Sequence, residues 1–338
     1  MRFDAACAPV FARHETFQPR FGWLKKAVDA ALRDPDAFNN EDAVVALGVG
    51  KNMVKSMRFW GTAHKLLVPA REAGSRQLLS VPTVIGRALL ADDGWDPYSE
   101  FDGTQWLLHW MLLSPPSIAP VWWLALNEFS ALEFDDDELS AFVIDRTLSL
   151  DVGEAAIRKD VACFIRMYLG GRSARSTFDD AVDCPTRSLQ LLVEGVDHGR
   201  IRFNVGRKAS LPPAIAAFAS LDFVARAGGG GRTISVSSLA AEPGTPGQVF
   251  KLGEQELLHL LEAASAGRQD ISITESAGAP QLAFDDDPAV VGTELLFDYY
   301  RSLNDSIRHP GESVVCGPGG SQPTGNRAAH LTFMGLES

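Results

Sequence analysis

The stretch LGVGKNMVKSMRFWGTAHKLL, residues 47–67, decides how this chain is read, because Gly48, Gly50 and Lys51 stand directly ahead of an amphipathic run. A glycine-rich turn before a lysine can cradle phosphates. That loop requires G-x-x-x-x-G-K-[ST] after a strand, so that backbone amides wrap the phosphate and a hydroxyl holds the metal. Counting back from Gly50, the first glycine would stand at position 45, which is Val45, and Lys51 is followed by Asn52 rather than Ser or Thr. Upstream, NNEDAVVAL reads as a short helix capped by Asn40, not as a strand.

A helix fits better. At about 100° per residue, Lys51, Lys55, Arg58, Thr62 and Lys65 fall in one stripe, and Met53, Met57, Trp60, His64 and Leu67 fall opposite. A helix over residues 52–67, preceded by a short helix at 43–47 and a Gly-Val-Gly turn, has the form of a helix-turn-helix that docks one face on a core and offers cations outward. A basic stripe is also how an ordinary solvated face looks. The charge distribution favours the first reading. Residues 43–90 hold seven Lys/Arg against one acid, a net of +6, in a chain of 338 residues whose total is −12, which leaves −18 elsewhere. One face suited to a polyanion on a self-repelling body is the simplest account.

Working outward, the apolar positions of FGWLKKAVDAALRD, residues 21–34, follow helical spacing. After the basic helix, SRQLLSVPTVIGRALLADDGWDP predicts a short strand, a helix over 83–90 and a return, which would make a winged variant. TQWLLHWMLL and IAPVWWLALNEF flank Pro115-Pro116 as two very apolar helices that support the basic module. DDDELSAFVIDRTL predicts a helix with acids at its favourable end, and D-V-G-E at 151–154 has capping-box form ahead of a helix reaching residue 167. RIRFNVGRKA alternates like a strand, PPAIAAFASLDFVARA is a proline-marked helix, and the glycines at 228–231 form a joint. KLGEQELLHLLEAAS and a hairpin in DISITESAGAPQLAFDD, with a loose Ala-Gly-Ala-Pro turn, repeat the winged order on an acidic background.

The expected fold is therefore mainly α (α+β), with helix-turn-helix and winged-helix modules around a helical core and small β-hairpin wings. The expected divisions are an N-terminal DNA-binding domain with helical support over 1–130 and a helical middle domain over 131–199. A C-terminal winged-helix-like domain would span 200–305, ahead of a polar, disordered tail over 306–338. Four dispersed cysteines form no C-x-x-C pair, which argues against a zinc knuckle. No signal-peptide pattern and no spanning apolar run is present, so a cytoplasmic protein without a membrane partner is expected.

Several phrases together, FARHETFQPRFGWLKKA, LGVGKNMVKSMRFWGTAHKLL, ADDGWDP, TQWLLHW and RKDVACFIRMY, resemble an uncharacterised-domain family encoded beside bacterial DNA phosphorothioation genes. Its best-known members resemble the SspB subunit of the SspABCD system. The resemblance covers about residues 11–305. It implies a DNA-nicking activity that opens one strand for sulfur insertion in an antiphage defence system. The implied partners are double-stranded DNA, a cysteine desulfurase, an ATP-pyrophosphatase-like sulfur transferase and an ATPase; a homodimer is also compatible.

The resemblance carries over no catalytic residue, so site residues are assigned on chemistry alone. Nicking needs an activated nucleophile and stabilisation of phosphate charge, commonly by divalent ions on carboxylates. No standard nuclease motif is present. One candidate cluster is Arg13-His14-Glu15 with Arg20: His14 as acid or base, Glu15 as metal holder, the arginines as phosphate clamps. The plain alternative is a salt-bridged N-terminal arm. A second is Asp92, Asp93 and Asp96, three carboxylates suited to Mg²⁺ (or Mn²⁺), or else an ordinary turn. A third, Asp179, Asp180 and Asp183 near Cys184 and Arg187, is weaker, because acids make a poor cysteine nucleophile. The assignment is His14, Glu15 and Asp93 as catalytic, Asp92, Asp93 and Asp96 as metal ligands, and Arg13, Arg20, Lys51, Asn52, Lys55, Arg58 and Lys65 as DNA contacts, with Asn52 and Lys55 nearest base edges. The rival reading is a non-catalytic DNA-binding or assembly subunit that positions another enzyme.

Overall fold

Two helices that are apolar on every side set the centre of the molecule, as expected for helices with no solvent face. They are α6 (Asp102–Leu113) and α7 (Pro120–Asn127) in a computed structural model that describes residues 2–71, 74, 77–169, 184–228 and 230–308. Trp106, Trp110, Trp122 and Trp123 are all fully buried there. The remaining elements wrap this pair, and the chain is mostly helical with three small antiparallel sheets among the described residues.

Ahead of the centre come α1 (Phe3–Ala6), α2 (Trp23–Arg33), α3 (Ala43–Leu47), α4 (Lys51–Ala63), β1 (Leu67–Ala70), β2 (Leu79–Pro82) and α5 (Val84–Leu90). Strands β1 and β2 form a hairpin pairing Leu67 with Pro82 and Ala70 with Leu79. Gly48 closes α3 in the left-handed conformation (φ 65°), which glycine adopts without strain, and this lets α4 start three residues later. Thr83 caps α5 by accepting from the Gly86 amide at 3.0 Å. Gly86 is obligatory for the packing: a Cβ there would lie 2.2 Å from the Leu66 carbonyl oxygen.

Behind the centre come α8 (Asp136–Arg146), α9 (Glu154–Tyr168), the pair β3 (Leu192–Glu194) and β4 (Ile201–Phe203), and α10 (Pro213–Ala227). Then follow β5 (Thr233–Ser235), α11 (Val236–Ala241), α12 (Pro246–Phe250), α13 (Glu254–Ser265), β6 (Ile271–Ser276), β7 (Ala279–Phe284) and α14 (Pro288–Arg308). The last sheet has the order β5-β7-β6. Helix α14 lies along α10 and reaches back to the first half: Tyr300 stacks on Trp95 at 5.0 Å and shares a hydrogen bond with Thr104 at 3.0 Å.

Several local expectations are corrected. The basic helix starts at Lys51 and ends at Ala63; Lys65 turns left-handed (φ 56°), so residues 64–67 leave the helix for the hairpin. Asn40 does not cap α3; its side chain donates to Asp34 at 2.8 Å, and Asp42 holds the cap position with no side-chain bond. The capping box lies at Asp135 and Glu138 instead of at 151–154, where Gly153 precedes α9. The last hairpin turns tightly on Ala277 and Gly278, both at positive φ, which extends β7 back to Ala279. The third candidate cluster, Asp179, Asp180 and Asp183, and residues 309–338 lie outside the described residues.

Two buried imidazoles tie the centre together and predict acid sensitivity. His64 donates through Nδ1 to the Trp60 carbonyl, and His109 donates through Nε2 to the Val249 carbonyl and bonds the Tyr168 hydroxyl through Nδ1, each at 2.9 Å. Burial pushes both down to about 4. Between pH 6.5 and 4 the unfolded chain therefore binds protons that the folded chain refuses, and stability falls as pH falls through that window. Two such protons give a slope approaching about 2.7 kcal/mol per pH unit. Denaturant unfolding at pH 6.5, 5.5 and 4.5 measures it, and a flat profile would contradict neutral buried rings.

Candidate functional site

Helix α4 presents two faces, as its periodicity requires. Val54, Met57 and Trp60 are buried against the centre, while Lys51, Asn52 and Lys55 are exposed. Its first turn has no side-chain cap and no acid, so the positive end of the helix dipole stays open beside Lys51. A cavity of about 800 Å³ runs along this exposed side, walled by α4, the segment from Phe38 to Val44, and the turn that carries Arg13 and Glu15.

Four cations face this groove: Arg13, Lys51, Lys55 and Arg58. They are not equivalent. Arg13 and Lys51 are exposed and have no hydrogen-bond or ion-pair partner among the described residues. Lys55 lies 3.1 Å from Glu15. Arg58 is half-buried and spends its guanidinium on the Asn39 side chain (2.9 Å) and the Leu78 carbonyl (2.5 Å), tying α4 to the hairpin. Burial lowers its pKa from the usual arginine value, and Asp36 opposes that shift. The acids of the groove are Glu15 and Glu41. With four cations against two acids, the charge of the groove favours an anionic ligand.

The remaining residues expected at a site are placed elsewhere. Lys65 is buried and donates to the Met111 and Ser114 carbonyls at the end of α6, so it leaves the basic stripe and caps a helix. Burial, then the nearby Arg226, pushes it down to about 7. His14 is buried between Trp60 and Trp122, with Nε2 2.7 Å from Asp160 and no partner at Nδ1. It sits behind the groove wall, not on it. Arg20 lies over the Trp23 ring at 5.8 Å.

The aspartate cluster is split. Asp96 is buried and accepts from the Glu100 amide (2.8 Å), the Phe101 amide (3.0 Å) and the Thr104 hydroxyl (2.6 Å), which organises the start of α6. Asp92 and Asp93 are exposed and line a different cavity with Asp29, Arg33 and Arg87. There the Lys25 ammonium lies 2.6 Å from both Asp29 and Asp92, in the place a cation bridging the two carboxylates would take, and it holds the Asp92 carboxyl below its usual range. As folded, Asp92, Asp93 and Asp96 do not fit a magnesium site. Among the described residues no group of three or more His, Cys, Asp or Glu is placed to hold a metal ion. His14, Glu15 and Asp93 are likewise not brought to one point.

Sequence reasoning missed Asp160, which anchors His14 and the Ala12 amide (2.9 Å) from α9. A signal existed: an acid three residues after Ile157 and four before Phe164 sits on the buried face of its helix. It also missed that Glu15 and Lys55 would meet. Cys7, Cys163 and Cys184 are all buried, and burial pushes the Cys7 thiol up to about 12. No helix among the described residues is long and apolar enough to cross a membrane.

Comparison with known proteins adds relatives. A family model described as Protein of unknown function (DUF4007) matches residues 11–300. One similar solved structure is an SspB crystal structure, 37% identical, covering 92% of this chain and 96% of that chain with a TM-score of 0.84. Another is a magnesium ion-bound SspB crystal structure, also 37% identical, covering 91% and 96% with a TM-score of 0.84. No curated protein matches.

Proposed function

This chain belongs to the DUF4007 family and is built like SspB, and from that premise we propose that it is the DNA-binding subunit of a bacterial DNA phosphorothioation system. The observation that carries the reading is the α4 groove: Arg13 and Lys51 unpartnered among the described residues, Lys55 beside them, and an uncapped helix N-terminus on one surface of an acidic protein. The order α2, α3, α4, β1-β2 is read as a winged helix-turn-helix, with α4 in the major groove and the hairpin as its wing. Lys51, Lys55 and Arg13 contact phosphates, and Asn52 in the first turn of α4 reaches base edges. The later order α10, β5, α11, α13, β6-β7 is read as a second winged helix on an acidic ground, within a division of the chain near residues 130 and 200. Sulfur activation and transfer fall to the partner enzymes of the system: a cysteine desulfurase, a sulfur transferase and an ATPase.

A second reading, intrinsic strand nicking, is favoured by the magnesium ion-bound relative. Magnesium keeps most of its water and takes one or two carboxylates plus substrate phosphate oxygens. Glu15 is the groove carboxylate nearest the α4 cations, but its present partner is Lys55. One experiment separates the readings. Purified protein is mixed with supercoiled plasmid and Mg²⁺ or Mn²⁺, and in parallel DNA is retarded in gels across a salt series. Retardation that weakens steeply from about 50 to 200 mM salt, without open circles, is the expected result. Retardation indifferent to salt would sink the phosphate-contact reading. Open circles that Glu15→Ala abolishes, with retardation kept, would establish the nickase.

A further inference from the structure

Eight non-glycine residues among the described residues have a left-handed backbone, and three of them fall within one short turn: Ala12 (φ 55°), Glu15 (φ 50°) and Thr16 (φ 69°). Such conformations are strained for residues with a Cβ, most of all for a β-branched one, and persist where the surroundings over-determine them. The surroundings here are specific. Asp160 accepts from the Ala12 amide through both oxygens (2.9 and 3.2 Å) and pairs with the buried His14 ring at 2.7 Å. Arg166, on the same helix α9, donates to the Thr16 carbonyl at 2.7 Å. The Trp60 indole donates to the Phe17 carbonyl at 2.9 Å. The turn is thus pinned at both ends and plugged at its middle. The consequence is geometric: with His14 drawn inward, its two neighbours Arg13 and Glu15 line the groove beside α4.

We propose that Asp160 and Arg166 are positioning residues for the phosphate groove: they hold this turn in its strained form so that Arg13 adds a cation to those of α4. The proposal rests on the DNA-binding reading. It assigns α9, which contributes no side chain to the groove wall, a direct part in how many phosphates the groove can neutralise.

The test is the salt slope of binding to a labelled duplex oligonucleotide, followed by fluorescence anisotropy. Each phosphate contact contributes about 0.9 to the slope of log K against log salt. Arg13→Ala is expected to lower the slope by that amount. Asp160→Asn is expected to lower it equally, and the double variant no further, since both remove the same contact. Arg166→Met is expected to reproduce part of the loss and Arg166→Lys, which keeps a donor, to retain the slope. A merely structural role for Asp160 would reduce the fraction of active protein and leave the slope of the remainder unchanged. A wild-type slope in Asp160→Asn, or an additive double variant, overturns the proposal. Where Asp160→Asn does not fold, a wild-type slope in Arg166→Met overturns it in the same way. A wild-type protein with no salt dependence instead overturns the DNA-binding reading itself, so the two failures are told apart by the first curve measured.

Discussion

Replacing Arg13, Lys51 and Lys55 together with alanine will flatten the salt dependence of DNA binding by about 2.7 and weaken binding by roughly 10²–10³-fold near 0.1 M salt. The size follows from three phosphate contacts at about 0.9 each, counted against the release of condensed counterions. These three residues are chosen because Arg13 and Lys51 have no partner among the described residues and Lys55 has only Glu15. All three can be removed without opening the core. Arg58 is left in place, because it binds Asn39 and the Leu78 carbonyl and its loss would loosen the hairpin as well as the groove. Sequence preference should survive the triple change, since phosphate contacts set register while base contacts set specificity. A triple variant with unchanged slope would move the DNA-binding surface off α4 altogether.

Asp222→Ala will destabilise the fold by about 3–5 kcal/mol, the usual result of removing one partner of a buried ion pair. Asp222 is buried on α10, and one of its oxygens accepts from the Trp110 indole and from Arg226, each at 2.8 Å. Arg226 also donates to the Pro115 carbonyl, and Lys65 is buried close enough to feel both charges. Without the carboxylate, the Arg226 guanidinium is left buried with no counter-charge, and the Lys65 ammonium, already pushed down to about 7, loses an anion that helps keep it protonated. The loss is a large share of the 5–15 kcal/mol that holds a typical fold. Equilibrium denaturation measures it. Adding Arg226→Met should recover part of the loss, because it removes one orphaned cation, whereas a change under about 1 kcal/mol for Asp222→Ala alone would mean that the cluster is hydrated. Lys65 therefore belongs to the joint between the basic module, α6 and α10 rather than to the exposed face of α4.

Much of the fold is legible in the chain because the signals are local. The spacing of Trp23, Leu24, Ala27 and Ala31 marks α2, the unbroken apolar runs mark α6 and α7, and the alternation before the Ala277–Gly278 turn marks a strand. Charge is additive along the chain, so the basic block at 43–90 in an acidic protein is visible without coordinates. Helix ends are less legible. Whether α4 continues past Ala63 depends on what the next turn can pack against, and Lys65 takes a left-handed backbone that places its ammonium on the end of α6.

The sequence by itself determined the helical character of most elements and the exposed cations at the start of α4, because periodicity and charge act over a few residues. Only the tertiary structure decided which of those residues share a surface. Glu15 meets Lys55 forty positions away, and His14 is drawn inward by an aspartate 146 positions away. A buried charge or ring must find its partner wherever the packed core brings one, and that choice is made by the whole fold rather than by neighbours in the chain.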